Sequence, residues 1–121
     1  SSIQFLAMGH GWEAWKTMPH ERQRLIDLID QSSSDSVLFI SGDRHRGGLY
    51  QLTSASGKNI VEMTSSSLNL SFTNDEEAGP LRVGPTFVQE NYGEMLLDKM
   101  TSKLTVNLKD NQGNIIQSVD L

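Results

Sequence analysis

The chain contains an uninterrupted apolar run, Val37-Leu38-Phe39-Ile40, that few architectures can accommodate. A strand with no polar position must be covered on both faces, as in the parallel sheets of α/β proteins. Before it, residues 19–30 have the spacing of an amphipathic helix, and Pro19 suits the first helical turn. The apolar residues of this helix are Leu25, Ile26, Leu28 and Ile29. Because Ile3–Met8 is another short apolar segment, the pattern predicts a strand–helix–strand (βαβ) unit.

After residue 48 the sequence has the pattern of antiparallel β structure. Five apolar segments are separated by turn residues. Segments 49–53 and 60–64 predict one hairpin, segments 104–108 and 115–121 predict another, and segment 92–100 predicts a single strand. Residues 74–91 contain acidic residues, glycines and prolines, which predicts a long loop. Together these features predict a mixed α/β (α+β) fold, in which a βαβ unit is followed by antiparallel β hairpins.

Composition narrows the classes of function. With 121 residues, 36% of them hydrophobic, the chain is predicted to form one domain or fragment, residues 1–121. The absence of cysteine excludes disulfides, thiolate zinc sites and cysteine nucleophiles. A net charge of −5 with scattered basic residues argues against nucleic acid as a partner, and no apolar stretch is long enough to span a membrane. Since an apolar segment follows Ser1-Ser2 directly, we expect the chain to be part of a longer protein.

The apolar run ends in Ser41-Gly42-Asp43-Arg44-His45, at the carboxyl end of a predicted strand. Ligands of open α/β sheets collect at this end of the strands. Metal ions that activate water commonly take carboxylate and imidazole ligands together, so Asp43 and His45 are predicted to bind one metal ion. The alternative is a solvated loop with an ordinary hydrogen-bonded aspartate.

The other histidines are weighed by their position. His10 lies between Gly9 and Gly11 at the end of the predicted strand 3–8. If that strand and the run 37–40 are adjacent and parallel, His10 shares a sheet edge with His45, which makes it a candidate for binding metal or phosphate. The alternative is a polar loop histidine. His20, in the first turn of the helix, is expected at the surface.

Charged, hydroxyl and aromatic residues complete the set of candidates. Guanidinium groups can hold phosphate oxygens, which makes Arg44 a candidate for phosphate or metal-site chemistry, whereas Arg46 is expected to be exposed and ion-paired.

The run Ser65–Ser67 resembles an oxyanion or phosphate nest, but no base is placed to activate a serine, so no catalytic residue is assigned. Trp12 and Trp15 are predicted to pack at the helix entrance, with a pocket-lining role as the alternative.

Taken together, these residues resemble the carboxyl-terminal part of the alkaline phosphatase D-like enzymes, which are calcineurin-like metallophosphoesterases. The resemblance runs nearly end to end. Four features carry it, in the family's order: Trp15-x3-Pro19-His20-Glu21-Arg22-Gln23-Arg24-Leu25, the strand into Ser41-Gly42-Asp43-Arg44-His45, Thr64-Ser65-Ser66-Ser67-Leu68, and Asn91-Tyr92-Gly93-Glu94-Met95-Leu96-Leu97-Asp98.

The resemblance implies a four-layer sandwich in which two mixed sheets are flanked by helices, the chain forming its carboxyl-terminal half. It also implies a two-metal site that hydrolyses phosphate mono- or diesters with a metal-bound hydroxide. Asp43 and His45 match the family's last metal-binding motif. The ions implied are divalent or trivalent, with iron, manganese, zinc and calcium all compatible, and the implied location is periplasmic or secreted.

The family's earlier metal motifs, Asp-x-His, Gly-Asp-x-x-Asp and Gly-Asn-His, are missing apart from the segment Gly42–His45 already assigned. The chain is therefore expected to be an inactive fragment whose partner is the amino-terminal half of the same domain. Such a fragment should expose one apolar face, through which copies would associate as a homo-oligomer. The alternative function is a stand-alone β-rich interaction module without catalysis, which predicts a monomer with an ordinary surface.

Overall fold

The computed structural model describes residues 1–73 and 79–121, and it has a mixed α/β fold in which strands predominate. In chain order the elements are a 3₁₀ turn (Trp15–Thr17), α1 (Pro19–Gln31), β1 (Ser36–Ser41), β2 (Gly47–Thr53), β3 (Asn59–Thr64), β4 (Arg82–Phe87), β5 (Asn91–Asp98), β6 (Lys103–Asp110) and β7 (Ile115–Asp120). Within these residues, no helix combines the length and apolar character that crossing a membrane requires.

The strands form two sheets. The first sheet has the order β1-β3-β2-β4, with β1 parallel to β3 and the other neighbours antiparallel. The second sheet has the antiparallel order β5-β6-β7. The predicted helix, the strand over residues 37–40 and both predicted hairpins are therefore confirmed.

The first sheet is covered on both faces, as its apolar strands require. On one face, Phe5, Leu6, Ile26 and Ile29 pack with Ile60 and Tyr50 in a buried cluster. On the other face, the second sheet packs through a cluster that includes Leu49, Met63 and Val106. Leu28, predicted for the apolar side of the helix, is instead exposed.

One predicted strand, Ile3–Met8, is wrong. Gln4 makes a single bridge to Ala14, and the segment does not join either sheet. Its backbone instead contacts the fully buried side chain of Glu62 on β3, whose two carboxylate oxygens accept the N–H groups of Phe5 at 2.7 Å and Leu6 at 2.6 Å. The parallel neighbour of β1 is therefore β3, and the predicted βαβ unit lacks its first strand.

Glu62 is stabilised by further contacts around this segment. The hydroxyl of Ser41, at the end of β1, donates to Glu62 Oε1 at 2.7 Å. Burial raises the pKa of the Glu62 carboxyl, and the hydrogen bonds from the Phe5 backbone and from Ser41 act against that rise. Arg22 of α1 donates from Nε to the Phe5 carbonyl at 2.8 Å, so the helix holds the same segment from its other side.

The predicted loop over residues 74–91 is wrong in its second half, since β4 lies at Arg82–Phe87. Pro85 and Gly84 favoured the loop prediction. They are tolerated here because β4 is an edge strand and its pairing with β2 is irregular. Residues 74–78 lie outside the described residues.

The sandwich has one open side. Gly93 of β5 lies against the Met63 side chain of β3, so close that a Cβ on the glycine would clash with it. β5 therefore lies across from β3, and the edge strands β1 and β5 are on the same side of the sandwich. By strand alternation Ile40, Met95 and Leu97 point toward the space between the sheets, yet they remain 47%, 50% and 61% exposed. Apolar surface of the inter-sheet layer is thus exposed there.

The outer face of the second sheet differs from this open side. Glu94 and Lys109 form an ion pair at 2.8 Å, and Lys103 and Asp120 form another at 2.7 Å. This face combines the two ion pairs with the exposed side chains of Tyr92, Leu96 and Ile115.

We expect Glu62→Gln to lower the free energy of unfolding by about 2 to 4 kcal/mol, because the amide nitrogen cannot accept the N–H bond that one oxygen now accepts. Urea denaturation followed by circular dichroism measures the change. The matched control is Glu13→Gln at an exposed glutamate, which should shift stability by less than about 0.5 kcal/mol. Equal effects of the two substitutions would contradict the role given to Glu62.

Candidate functional site

The loop after β1 has an unusual backbone. Asp43 and His45 both adopt left-handed conformations, with φ of 62° and 51°. Such conformations cost energy for residues other than glycine, and they concentrate at functional sites where the surroundings hold them in place. Among the described residues four non-glycine residues have a positive φ, and two of them are the residues predicted to bind metal, the others being Ser67 and Ser102.

Ser66 holds this loop in its conformation. Its hydroxyl oxygen accepts the backbone N–H groups of Arg44 at 3.2 Å and His45 at 3.0 Å. Because this oxygen already accepts two backbone hydrogen bonds, the presence of Ser66 is explained without anion binding or nucleophilic catalysis. Sequence reasoning missed this positioning role, and the signal available was the serine run at the end of β3, the parallel neighbour of β1.

The serine segment is itself anchored on both sides. The backbone N–H of Ser65 donates to the carbonyl of Ser41 at 3.1 Å, which continues the parallel pairing of β1 and β3. The buried Asn91, at the start of β5, donates its backbone N–H to the Ser67 carbonyl at 3.1 Å. Both sheets thus contribute to the support of the Asp43–His45 loop.

The side chain of His45 has a defined tautomer. Its Nδ1 lies 2.7 Å from the carbonyl oxygen of Leu70, and because that oxygen can only accept, Nδ1 carries the hydrogen. The lone pair of the neutral ring is then on Nε2. The ring also stacks on Phe72, with centroids 4.2 Å apart and an interplanar angle of 12°. A histidine oriented through Nδ1–H by a backbone carbonyl is the usual arrangement of a metal ligand.

His10 has the opposite tautomer. Its Nδ1 accepts the backbone N–H of Trp12 at 3.1 Å, so the hydrogen of the neutral ring is on Nε2. The side chain is buried. Its Nε2 atom is shielded from solvent, and the residue lines neither of the clefts described below. His20 is exposed in the first turn of α1, as expected.

The two arginines of the motif are both buried, and the expectation of an exposed Arg46 is wrong. The Arg46 guanidinium donates to the hydroxyl of Thr86 on β4 at 3.3 Å and to the carbonyl of Phe72 at 3.4 Å. Arg46 therefore ties the Phe72 segment to the first sheet. Arg44 is buried beside Asp43, where both residues line a cleft.

Asp43 is exposed and contributes to two clefts. The first, of about 420 Å³, is lined by Trp12, Glu13, Asp43, Arg44 and Phe72. The second, of about 370 Å³, is lined by Gly42, Asp43, Ser65, Ser66, Ser67, Leu68, Asn91 and Tyr92. The packing role predicted for Trp12 is therefore wrong, since its side chain is exposed and lines the first cleft. The alternative, a role in lining a substrate pocket, stays a prediction. Trp15 does pack, with its ring 5.3 Å from that of Phe5.

The first cleft joins the two loops on which candidate residues lie. Trp12 and Glu13 follow His10 directly, and they meet Asp43 and Arg44 there, although residues 3–8 are not a strand of the sheet. In residues 1–73 and 79–121, no three His, Asp or Glu side chains form a group that could hold a metal ion. Asp43 and His45 remain a predicted pair of ligands. Comparisons with family models, with curated proteins and with solved structures found no match for this chain.

We expect Ser66→Ala to loosen the loop, because the backbone N–H groups of Arg44 and His45 lose their acceptor. Hydrogen exchange of these two amides should accelerate about fivefold, in line with about 1 kcal/mol for a lost hydrogen bond. Ser33→Ala, at an exposed serine after α1, is the control and should leave both rates unchanged. Unchanged exchange in Ser66→Ala would show that the hydroxyl does not hold the loop.

Proposed function

We propose that the chain is the carboxyl-terminal part of an alkaline phosphatase D-like metallophosphoesterase, in which Asp43 and His45 each contribute one metal ligand. The observation that carries the proposal is the geometry of His45. Its Nδ1–H is held by the Leu70 carbonyl, which leaves Nε2 as the atom able to bind an ion. Asp43 lies two residues away in the same strained loop, with its side chain exposed.

The donor set fits the metal that this family implies. A neutral imidazole and a carboxylate are ligands that iron, manganese and zinc accept, and the carboxylate also suits calcium. When bound, such ions polarise the phosphoryl oxygen of a phosphate ester and lower the pKa of a bound water. The roles of this chain are to hold the ion through Asp43 and His45 and to keep both residues positioned through Ser66. Arg44, which lines a cleft with Asp43, is the candidate for donating hydrogen bonds to a phosphate oxygen, while the role of His10 stays a prediction from the sequence.

The open side of the sandwich supports a fragment rather than a complete domain. β1 and β5 are edge strands there, and Ile40, Met95 and Leu97 are exposed although they point between the sheets. The amino-terminal half of the same domain would cover this surface and supply the remaining metal ligands. Without it, a second copy would cover the surface and form a homo-oligomer. The second helical layer of the four-layer sandwich rests on the resemblance. The outer face of the second sheet, which that layer would cover, carries two ion pairs and the exposed side chains of Tyr92, Leu96 and Ile115.

Titration of the ¹⁵N-labelled chain with zinc, followed by NMR of the histidine rings, tests the proposal. We expect saturable shifts at His45 Nε2, and Asp43→Asn and His45→Gln should each weaken binding by at least about tenfold, equivalent to about 1.4 kcal/mol. His20→Gln removes a surface histidine and is the matched control, with wild-type affinity expected. An unchanged zinc affinity in both Asp43→Asn and His45→Gln would contradict the proposal and favour an interaction module without catalysis.

Activity should depend on the missing half. With zinc, manganese or iron added, we expect the chain alone to hydrolyse p-nitrophenyl phosphate no faster than metal in buffer, because two ligands do not assemble a two-metal site. A longer protein that continues upstream of Ser1 should hydrolyse the ester, and His45→Gln in that protein should abolish turnover. Full activity of the longer protein with His45→Gln would remove His45 from the metal site.

A further inference from the structure

The cleft between the two loops has aromatic walls. Trp12 is 61% exposed and Phe72 is 44% exposed, and both line the cleft of about 420 Å³ that contains Asp43 and Arg44. Small-molecule sites typically combine aromatic walls with a few charged or polar groups that fix orientation. The second cleft beside Asp43 has a single aromatic residue, Tyr92, among serines and an asparagine, whereas the first has two, Trp12 and Phe72.

The backbone of each aromatic residue is hydrogen-bonded to one of the candidate histidines. The Trp12 backbone N–H donates to His10 Nδ1 at 3.1 Å, and the Phe72 backbone N–H donates to the His45 carbonyl at 2.9 Å. The ring of Phe72 also stacks on the His45 ring, and Arg46 binds the Phe72 carbonyl. The Phe72 ring is therefore already positioned, and a wall held in this way loses little conformational entropy when a ligand binds against it.

The charges of the cleft limit what can occupy it. Glu13 and Asp43 contribute carboxylates and Arg44 contributes one guanidinium, so a second anionic group in the ligand would be repelled. An uncharged planar ring, by contrast, can stack on an exposed indole and gain from apolar burial. The occupant favoured by these walls and charges is therefore an uncharged aromatic group.

We infer that the cleft lined by Trp12 and Phe72 binds the aromatic organic group of a phosphate ester whose phosphate lies at Asp43 and His45. The inference rests on the proposed function for the position of the phosphate. It names the substrate class as aryl or other planar, uncharged esters, and it assigns Trp12 as a residue that determines specificity. Trp12 contacts the organic group and takes no part in bond cleavage.

NMR of the two indole N–H groups tests the inference, because the chain has two tryptophans and Trp15 serves as an internal control. Phenyl phosphate, cyclohexyl phosphate and inorganic phosphate are titrated into the zinc-loaded chain. Phenyl phosphate should shift the Trp12 indole with an affinity about three- to tenfold higher than that of cyclohexyl phosphate, the gain of one aromatic stacking contact. Inorganic phosphate should leave both indole signals unmoved.

Trp12→Ala provides the second arm. Because the Trp12 side chain is exposed, the variant should fold. Its affinities for phenyl and cyclohexyl phosphate, measured from the NMR signals of the loop amides, should be equal. Leu28→Ala, at an exposed position on α1, should keep the preference. Equal binding of the two esters by the wild-type chain, or equal shifts at Trp12 and Trp15, would overturn the inference.

The two proposals fail in different ways. If zinc binds through Asp43 and His45 but the preference for phenyl phosphate is absent, the cleft assignment is wrong and the proposed function stands. If the preference is present but Asp43→Asn and His45→Gln leave the zinc affinity unchanged, the proposed function is wrong. The assignment of the cleft to a phosphate ester is then wrong as well.

Discussion

The fully buried carboxylate of Glu62 is the interaction on which the rest of the structure depends. Through it, β3 binds the backbone of Phe5 and Leu6 and the hydroxyl of Ser41 at the end of β1. Burying a carboxylate is costly unless donors surround it, and here the three donors belong to two separate parts of the chain. The amino-terminal segment is thereby held against the first sheet, where Phe5 and Leu6 complete the core.

The same interaction determines where the candidate site lies. Once residues 4–7 are held by Glu62, the chain continues through His10 to Trp12 and meets the loop that follows β1. That loop is maintained in turn by Ser66, whose hydroxyl accepts two of its backbone donors. The strained conformations of Asp43 and His45 are therefore supported by contacts with distant parts of the chain, as expected where strain serves a function.

Local patterns predicted much of this fold, and distant contacts account for what they missed. α1, β1 and both hairpins follow from periodicity and turn residues close in sequence, so they could be predicted. The segment 3–8 could not, because its backbone donors are satisfied by Glu62, which lies more than fifty residues away. Arg46 looked like a loop cation, and its burial depends on Phe72 and Thr86, whose positions no local pattern reveals. The motif Asp43–His45 could be found in the sequence, whereas the tautomer of His45 required the position of Leu70.

Anomalous diffraction from crystals of this chain grown with zinc would test the proposal that Asp43 and His45 bind a metal ion. We predict a zinc peak at about 2.0–2.1 Å from His45 Nε2 and about 2.0–2.2 Å from a carboxylate oxygen of Asp43. His45 Nδ1 should still donate to the Leu70 carbonyl in that structure. Zinc bound only at other residues, or bound through Nδ1 of His45 with the Leu70 contact broken, would contradict the proposed metal site.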